Sequence, residues 1–306
     1  MRAMFSWARG RQRSHAQASR LPTAVTNPTS RVLFLFVDGL GVSAERRSPL
    51  HTCALPALGD LTHGFAAEAF TRRGVAYRVL DATLGVDGLP QSATGQATLL
   101  TGINAAQHLG RHQGPHPGAT LQTLLREHSL HAVCAADGRR VVHANGYKPE
   151  YLARVLGSRR NMLSAFAYAA QGIGLPLLPL DDPRAHWPGY WSDAAAAARA
   201  MASTAQSHDL TVLEYWALDF AGHREPTNVS VRLGELDVFV GAFLAAAPDV
   251  TLVLTSDHGN AEEPWHGRHS RNPVPFLVCG PGSDTVPDMT SLVDVAGWMR
   301  EMVVSR

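Results

Sequence analysis

From Arg31 onward, short apolar runs alternate with helical patterns. Val32–Val37 (VLFLFV) is uninterrupted apolar sequence, as expected of a strand buried on both faces. Thr211–Trp216, Thr251–Ser256 (TLVLTS) and Phe276–Cys279 are further runs of strand length. Helices are predicted over about 193–206, 228–246 and 291–303, the first containing the Ala194–Ala198 run. This β-then-α order implies an α/β fold with a mostly parallel central sheet and helices on both faces. The longest apolar run is far short of the ~20 residues of a membrane helix, so no membrane role is expected. In such sheets functional residues collect at the carboxyl ends of the strands. Asp38 follows the first run, Asp219 trails the 211–216 run, and Asp257-His258 directly follow the 251–256 run.

Composition narrows the picture. With 45% hydrophobic and 17% charged residues, the chain is globular rather than disordered. Residues 1–30 carry five Arg and no acid and lack core periodicity. A disordered basic tail is expected there, with an Arg-rich organelle leader as the alternative. Residues 31–306 are expected to form a single domain. The net charge of +1 leaves that body slightly acidic, which argues against nucleic acid as a partner. Lys148 is the sole lysine, so a Walker-type phosphate loop is excluded. Cys53, Cys134 and Cys279 are scattered without a C-x-x-C pair, which fits a reducing, cytoplasmic setting.

The last third carries the densest chemistry: Asp219-Phe-Ala-Gly-His223, Asp257-His258-Gly259-Asn260, then His266 and His269. Singly, each is an ordinary helix cap or surface histidine. Grouped at strand ends, carboxylates and imidazoles form the ligand set of Zn²⁺ or Mn²⁺, and Asp38 offers one more ligand. Gly88–Gln96 (GLPQSATGQ) is a turn running into the helical Ala97–Leu100. It places Ser92 near a helix N-terminus, where anions are favoured. A serine there is a simple cap unless a metal stabilises its alkoxide, which makes it a nucleophile. The His- and Arg-rich stretch from Gln107 to Pro117 reads equally as a polar loop or as a lining of the substrate cleft. In the second reading, Arg111 is the bidentate oxyanion contact, with His112 beside it. The Asn145-Gly-Tyr-Lys148 turn is a further substrate-binding candidate.

Asp38-Gly39, Ser92, Asp219-x-x-Gly-His223, Thr255–Glu262 (TSDHGNAE) and His269–Phe276 (HSRNPVPF) together resemble the alkaline phosphatase superfamily. Within it, the sequence is most similar to the cofactor-independent phosphoglycerate mutases and phosphopentomutases, from Arg31 to about Gly282. The resemblance implies an alkaline-phosphatase-like three-layer sandwich and two divalent ions. Asp219, His223 and His269 would hold one ion; Asp38, Asp257, His258 and the Ser92 hydroxyl would hold the other. His266 would lie outside the ligand set or touch substrate. Ser92 would be the catalytic nucleophile acting on a small phosphorylated metabolite. Two departures bear on activity. The mutases typically read N-S-E-V-G-H around the nucleophile, against Gln91-Ser-Ala-Thr-Gly-Gln96 here. They also carry a large inserted cap, whereas 127 positions separate Ser92 from Asp219 here, leaving residues 105–190 as a small covering region at most. A phosphohydrolase working through phosphoserine is therefore expected, with a phosphomutase as the alternative. A reading from another class is a dinucleotide-binding oxidoreductase, suggested by Gly39-x-Gly41-x-x-Ala44. Pro49, which breaks the helix that should follow, argues against it.

Overall fold

The computed structural model describes residues 31–158, 160–187 and 189–304, so the expected tail over 1–30 lies outside the described residues. The chain runs β1 (Arg31–Val37), α1 (Pro49–Thr52), α2 (Pro56–Thr62), β2 (Phe70–Arg72), β3 (Val75–Leu80), α3 (Ser92–Thr101) and α4 (Ala105–Leu109). Next come α5 (Ala119–His128), α6 (Leu130–Ala136), β4 (Val141–His143), β5 (Gly146–Tyr147), α7 (Pro149–Leu156), α8 (Ala165–Gly172) and β6 (Leu178–Pro179). The last part holds α9 (Ala194–Gln206), β7 (Leu210–Tyr215), α10 (Ala217–Arg224), α11 (Val229–Ala246), β8 (Val250–Thr255), β9 (Val274–Cys279) and α12 (Val293–Val303).

Seven strands form one sheet in the order β2-β3-β9-β8-β1-β7-β4. Side-chain alternation along β1 builds both layers. Val32, Phe34 and Phe36 face a core shared with α3, α5, α6, α8 and α12. Leu33, Leu35 and Val37 face the opposite core, with α2, α9, α10 and α11. Each such side chain is essentially buried and stabilises the fold by roughly 2 kcal/mol. The three predicted strand–helix units are present, and the fold is a three-layer α/β sandwich.

The sheet is parallel across β4-β7-β1-β8, the half that carries the expected ligands. It is antiparallel from β8 through β9 and β3 to β2. A parallel β9 would need a crossover packed on a face of the sheet, usually a helix. The segment 256–273 between β8 and β9 contains no α-helix and returns directly. Within the 105–190 region, α5, α6, α8 and β4 belong to the main body. A two-stranded β5–β6 sheet and a small core around Val155, Leu163 and Leu177 form a minor lobe. Among the described residues, no helix is long and apolar enough to cross a membrane.

Candidate active site

The central strands β7, β1 and β8 lie side by side and point their carboxyl ends the same way. Asp38 leaves β1, Asp257 and His258 follow β8, and Asp219 sits in the first turn of α10 just after β7. His223, one helical turn beyond Asp219, brings its Nε2 to 3.5 Å from Asp219 Oδ1. His269 arrives on the loop before β9. Close approach of these loops needs glycine, as Gly39 and Gly95 show. Gly39 holds a left-handed φ of 72°, and a Cβ there would stand 2.6 Å from Asp219 Oδ1. At Gly95, a Cβ would lie 2.7 Å from the Asp257 carbonyl oxygen, so α3 can lie directly on that loop.

Two groups of ligand atoms result, each with all members within 4.8 Å of one another: Asp38, Asp257 and His258; and Asp219, His258 and His269. His258 is common to both. Its Nε2 lies 3.5 Å from Asp38 Oδ1 and from Asp257 Oδ2. The His258 and His269 rings stack with centroids 3.6 Å apart. Ser92 is the first residue of α3, behind the Gln91 cap. Its Oγ lies 3.1 Å from His258 Nε2, at the positive end of the helix where unpaired N–H groups favour an anion.

The donor set fits divalent ions. Asp38 Oδ1 and Asp257 Oδ1 are buried with no hydrogen-bond partner, an arrangement that costs free energy unless a cation satisfies it. Burial raises both carboxyls well above the usual range, and the neighbouring charge of Asp219 pushes the same way. Burial lowers the His258 and His269 rings, the latter to about 4, which keeps them as the neutral imidazoles that metals bind. His269 Nδ1 lies 2.7 Å from the Pro90 carbonyl and His223 Nδ1 3.0 Å from that of Gly267. Both bonds leave Nε2 as the free ligand atom.

Several residues that lie within the motifs quoted from the sequence acquire a role only in the structure. Gln96 donates to Asp257 Oδ2 at 3.1 Å, and Asn260 donates to Asp219 Oδ1 at 2.7 Å. Buried Glu262 accepts from Gly41 N at 2.9 Å and Asn260 N at 2.7 Å. Its other oxygen accepts from Ser270 and Asn272. One carboxylate thus ties the loop after β1 to both ends of the connection between β8 and β9.

The substrate-contact expectations fare differently. Arg111 is exposed and makes no side-chain hydrogen bond among the described residues. His112 sits beside Gly88 and the Thr83–Val86 backbone. Exposed His266 turns to Glu263 and Trp265. None of the three lines the cleft over the ligand groups, because their loops point their side chains elsewhere. That cleft is lined instead by Ser92, Pro115, Asp219, His223, Arg268 and His269, and it continues past Asp38, His116, Trp216 and Arg224. Arg224 and Arg268 each neighbour an expected ligand in sequence, a signal that could have found them. Asn145 and Lys148 line a separate cavity, where Asn145 clasps the Glu214 backbone.

A model of the Metalloenzyme superfamily matches residues 191–303. The 2,3-bisphosphoglycerate-independent phosphoglycerate mutase of Mycoplasma pneumoniae is 36% identical over 97 residues, covering 29% of this chain and 19% of that protein. Its counterpart in Cellvibrio japonicus is 33% identical over 99 residues, with the same coverage. The chain thus matches about a fifth of the length of these relatives. Among solved structures, the PH0037 protein of Pyrococcus horikoshii gives a TM-score of 0.57 at 13% identity, covering 90% of this chain and 97% of that one. Alkaline phosphatase from the Antarctic bacterium TAB5 gives 0.55 at 12% identity, covering 90% and 98%. Leishmania mexicana phosphoglycerate mutase gives 0.53 at 11% identity, covering 91% and 96%. These structural likenesses show the fold alone. Residues 191–303 are thus similar to the metalloenzyme superfamily, and the sheet and helices take the alkaline-phosphatase-like form.

Proposed function

We propose that the protein is a phosphohydrolase acting on small phosphoesters through a phosphoserine at Ser92. The observation that carries this reading is the Ser92 hydroxyl, set at a helix N-terminus against His258 and near the buried, unpartnered Oδ1 atoms of Asp38 and Asp257. Asp219, His223 and His269 would hold one divalent ion, and Asp38, Asp257, His258 and Ser92 the other. The mixed carboxylate and imidazole set suits Mn²⁺ or Zn²⁺ alike. When bound, the ions would lower the pKa of the serine hydroxyl and neutralise charge on the phosphoryl oxygens.

The chain's own residues supply the rest. Ser92 Oγ gives up its proton and forms a bond to phosphorus, while the ester P–O bond breaks and the alcohol leaves with a proton. Water then adds to phosphorus, the Ser92 O–P bond breaks, and Ser92 regains a proton as phosphate departs. Arg268 and Arg224, on the cleft walls, are placed to bind phosphoryl oxygens with their planar forks. The unpaired N–H groups of the first turn of α3 favour the same charge.

The relatives' names favour a second reading, phosphoglycerate mutase. A mutase must keep its phosphoserine from water while the substrate turns, which requires a closing cover. The minor lobe of β5, β6 and α7 is a small cover, and the cleft is open, so hydrolysis is the favoured outcome. The three unpaired thiols accord with a cytoplasmic, reducing setting. The test is a screen of sugar phosphates, phosphoglycerates and nucleotides, with Mn²⁺ or Zn²⁺ added in turn. Phosphate release that disappears in Ser92→Ala supports the hydrolase. Interconversion of 3- and 2-phosphoglycerate outpacing phosphate release supports the mutase.

A further inference from the structure

Beside the metal-ligand groups lies a cavity of about 280 Å³ that the phosphoryl chemistry does not use. Tyr147, Tyr151, Trp187 and Trp216 supply its aromatic walls, and Glu214 its acidic floor. Trp216 also lines the cleft that holds Asp38, Asp219 and His223, so the two spaces adjoin through one side chain. Glu214 lies in β7 opposite Phe36, two residues before Asp38 on the neighbouring strand.

The floor is built rather than incidental. The side-chain amide of Asn145 donates to the Glu214 carbonyl at 2.9 Å and accepts from its N–H at 2.8 Å, which fixes the backbone. Ser164 Oγ donates to Glu214 Oε1 at 3.0 Å, and His143 Nε2 lies 3.3 Å from the same oxygen. Among the described residues, no donor meets Oε2. Glu214 is 6% exposed and lines the same cavity as the aromatic side chains.

The walls select the shape of an occupant. The Trp187 and Trp216 rings meet at 89° with centroids 5.7 Å apart, forming a corner rather than a slot. Tyr147 and Tyr151 stack on each other, their planes 10° apart, and so already satisfy each other's faces. A flat heterocycle needs two parallel free faces. A compact, rounded cation needs aromatic faces around it and an anion nearby. The Lys148 ammonium already stands 5.7 Å over the Trp187 ring at the exposed rim, within cation–π range.

We propose that this cavity binds the ammonium end of an amino-alcohol, the leaving group of the substrate whose phosphoester reaches Ser92. The substrate class is then phosphomonoesters of short alkylammonium alcohols. This inference rests on the phosphohydrolase reading for its chemistry, but the binding site itself does not. Glu214 supplies the counter-charge, Trp187 and Trp216 the cation–π faces, and Lys148 yields its place over Trp187 when the ligand enters.

The test separates binding from turnover. Choline and its neutral isostere 3,3-dimethylbutanol are titrated into the metal-loaded protein, with tryptophan fluorescence and calorimetry as readouts. The expected result is choline binding at least about tenfold tighter than the isostere. Glu214→Gln should lose at least about tenfold in choline affinity, and Trp187→Leu should do the same if the first variant fails to fold. Lys148→Ala should tighten choline severalfold by freeing the Trp187 face. Equal binding of the two probes, or no choline binding, overturns the inference. So does adenosine binding in place of choline, and so does weaker choline binding in Lys148→Ala. Phosphate release from other esters alongside any of these results would leave the hydrolase reading standing alone. Choline binding without phosphocholine turnover would overturn the substrate assignment, and loss of phosphate release from every ester screened would remove the hydrolase reading as well.

Discussion

Four of the expected ligands are held in orientation by protein groups. Asp219 receives the Asn260 amide and Asp257 the Gln96 amide. The Nδ1 atoms of His223 and His269 bond to backbone carbonyls. Such supports set metal affinity as much as the ligands do. Gln96→Leu should therefore weaken metal binding by about 10- to 100-fold with the fold retained, measured by titrating the metal-free protein with Mn²⁺ or Zn²⁺. An unchanged affinity would show that Asp257 needs no such tether. His269→Ala should lose one of two bound ions by elemental analysis, whereas His266→Ala should keep both, since exposed His266 faces Glu263. Equal losses would mean that the wrong histidine has been assigned. The expected ligands were legible because each follows an apolar run or sits in a dense motif. Gln96, Glu262 and Asn260 acquire their roles from partners up to 221 positions away, and no local pattern encodes such a partner.

At the scale of elements, β1, β7 and β8 announced themselves because strands buried on both faces are apolar along most of their length. The direction of β9 was not legible, since a strand buried on both faces has the same composition in either direction. Short strands such as β4 gave too few residues for a pattern. The loop after β1 and the 256–273 connection depend on one carboxylate, and Glu262→Ala would leave the Gly41 and Asn260 N–H groups buried without acceptors. That change should cost about 3 kcal/mol or more in urea unfolding. A change under about 1 kcal/mol would mean that water replaces the carboxylate. Helix α6 makes a second prediction. Burial lowers His131 to about 3, while the unfolded chain protonates it near pH ~6.5. Protons therefore bind the unfolded state first, and stability falls as pH drops below about 6.5, by up to about 1.4 kcal/mol per unit from this group. His131→Leu should flatten urea-midpoint curves between about pH 6 and 5; identical slopes would contradict a neutral buried ring.

For the molecule as a whole, metal ions held by the expected ligands would clamp loops from both halves of the chain. Ions that bind the folded state alone stabilise it by about 2.7 kcal/mol at a hundredfold excess over Kd. Chelation should lower the melting temperature by several degrees, and Mn²⁺ or Zn²⁺ should restore it. No shift would mean that the ligand groups do not close on a metal. The three-layer architecture was legible from the order of strands and helices. The aromatic cavity was not, because Tyr147, Trp187, Glu214 and Trp216 come together only through the meeting of β7 with the β5–β6 lobe. The central claim, that Ser92 carries the phosphoryl group, is tested most directly by trapping. Metal-loaded protein is quenched within seconds of adding a turned-over phosphoester, then digested and mapped by mass spectrometry. The account predicts a single phosphoserine at Ser92, absent from Ser92→Ala, which should lose at least about a thousandfold in turnover while keeping its fold. A phosphoryl group on Thr94, or none on a demonstrably active enzyme, would contradict it.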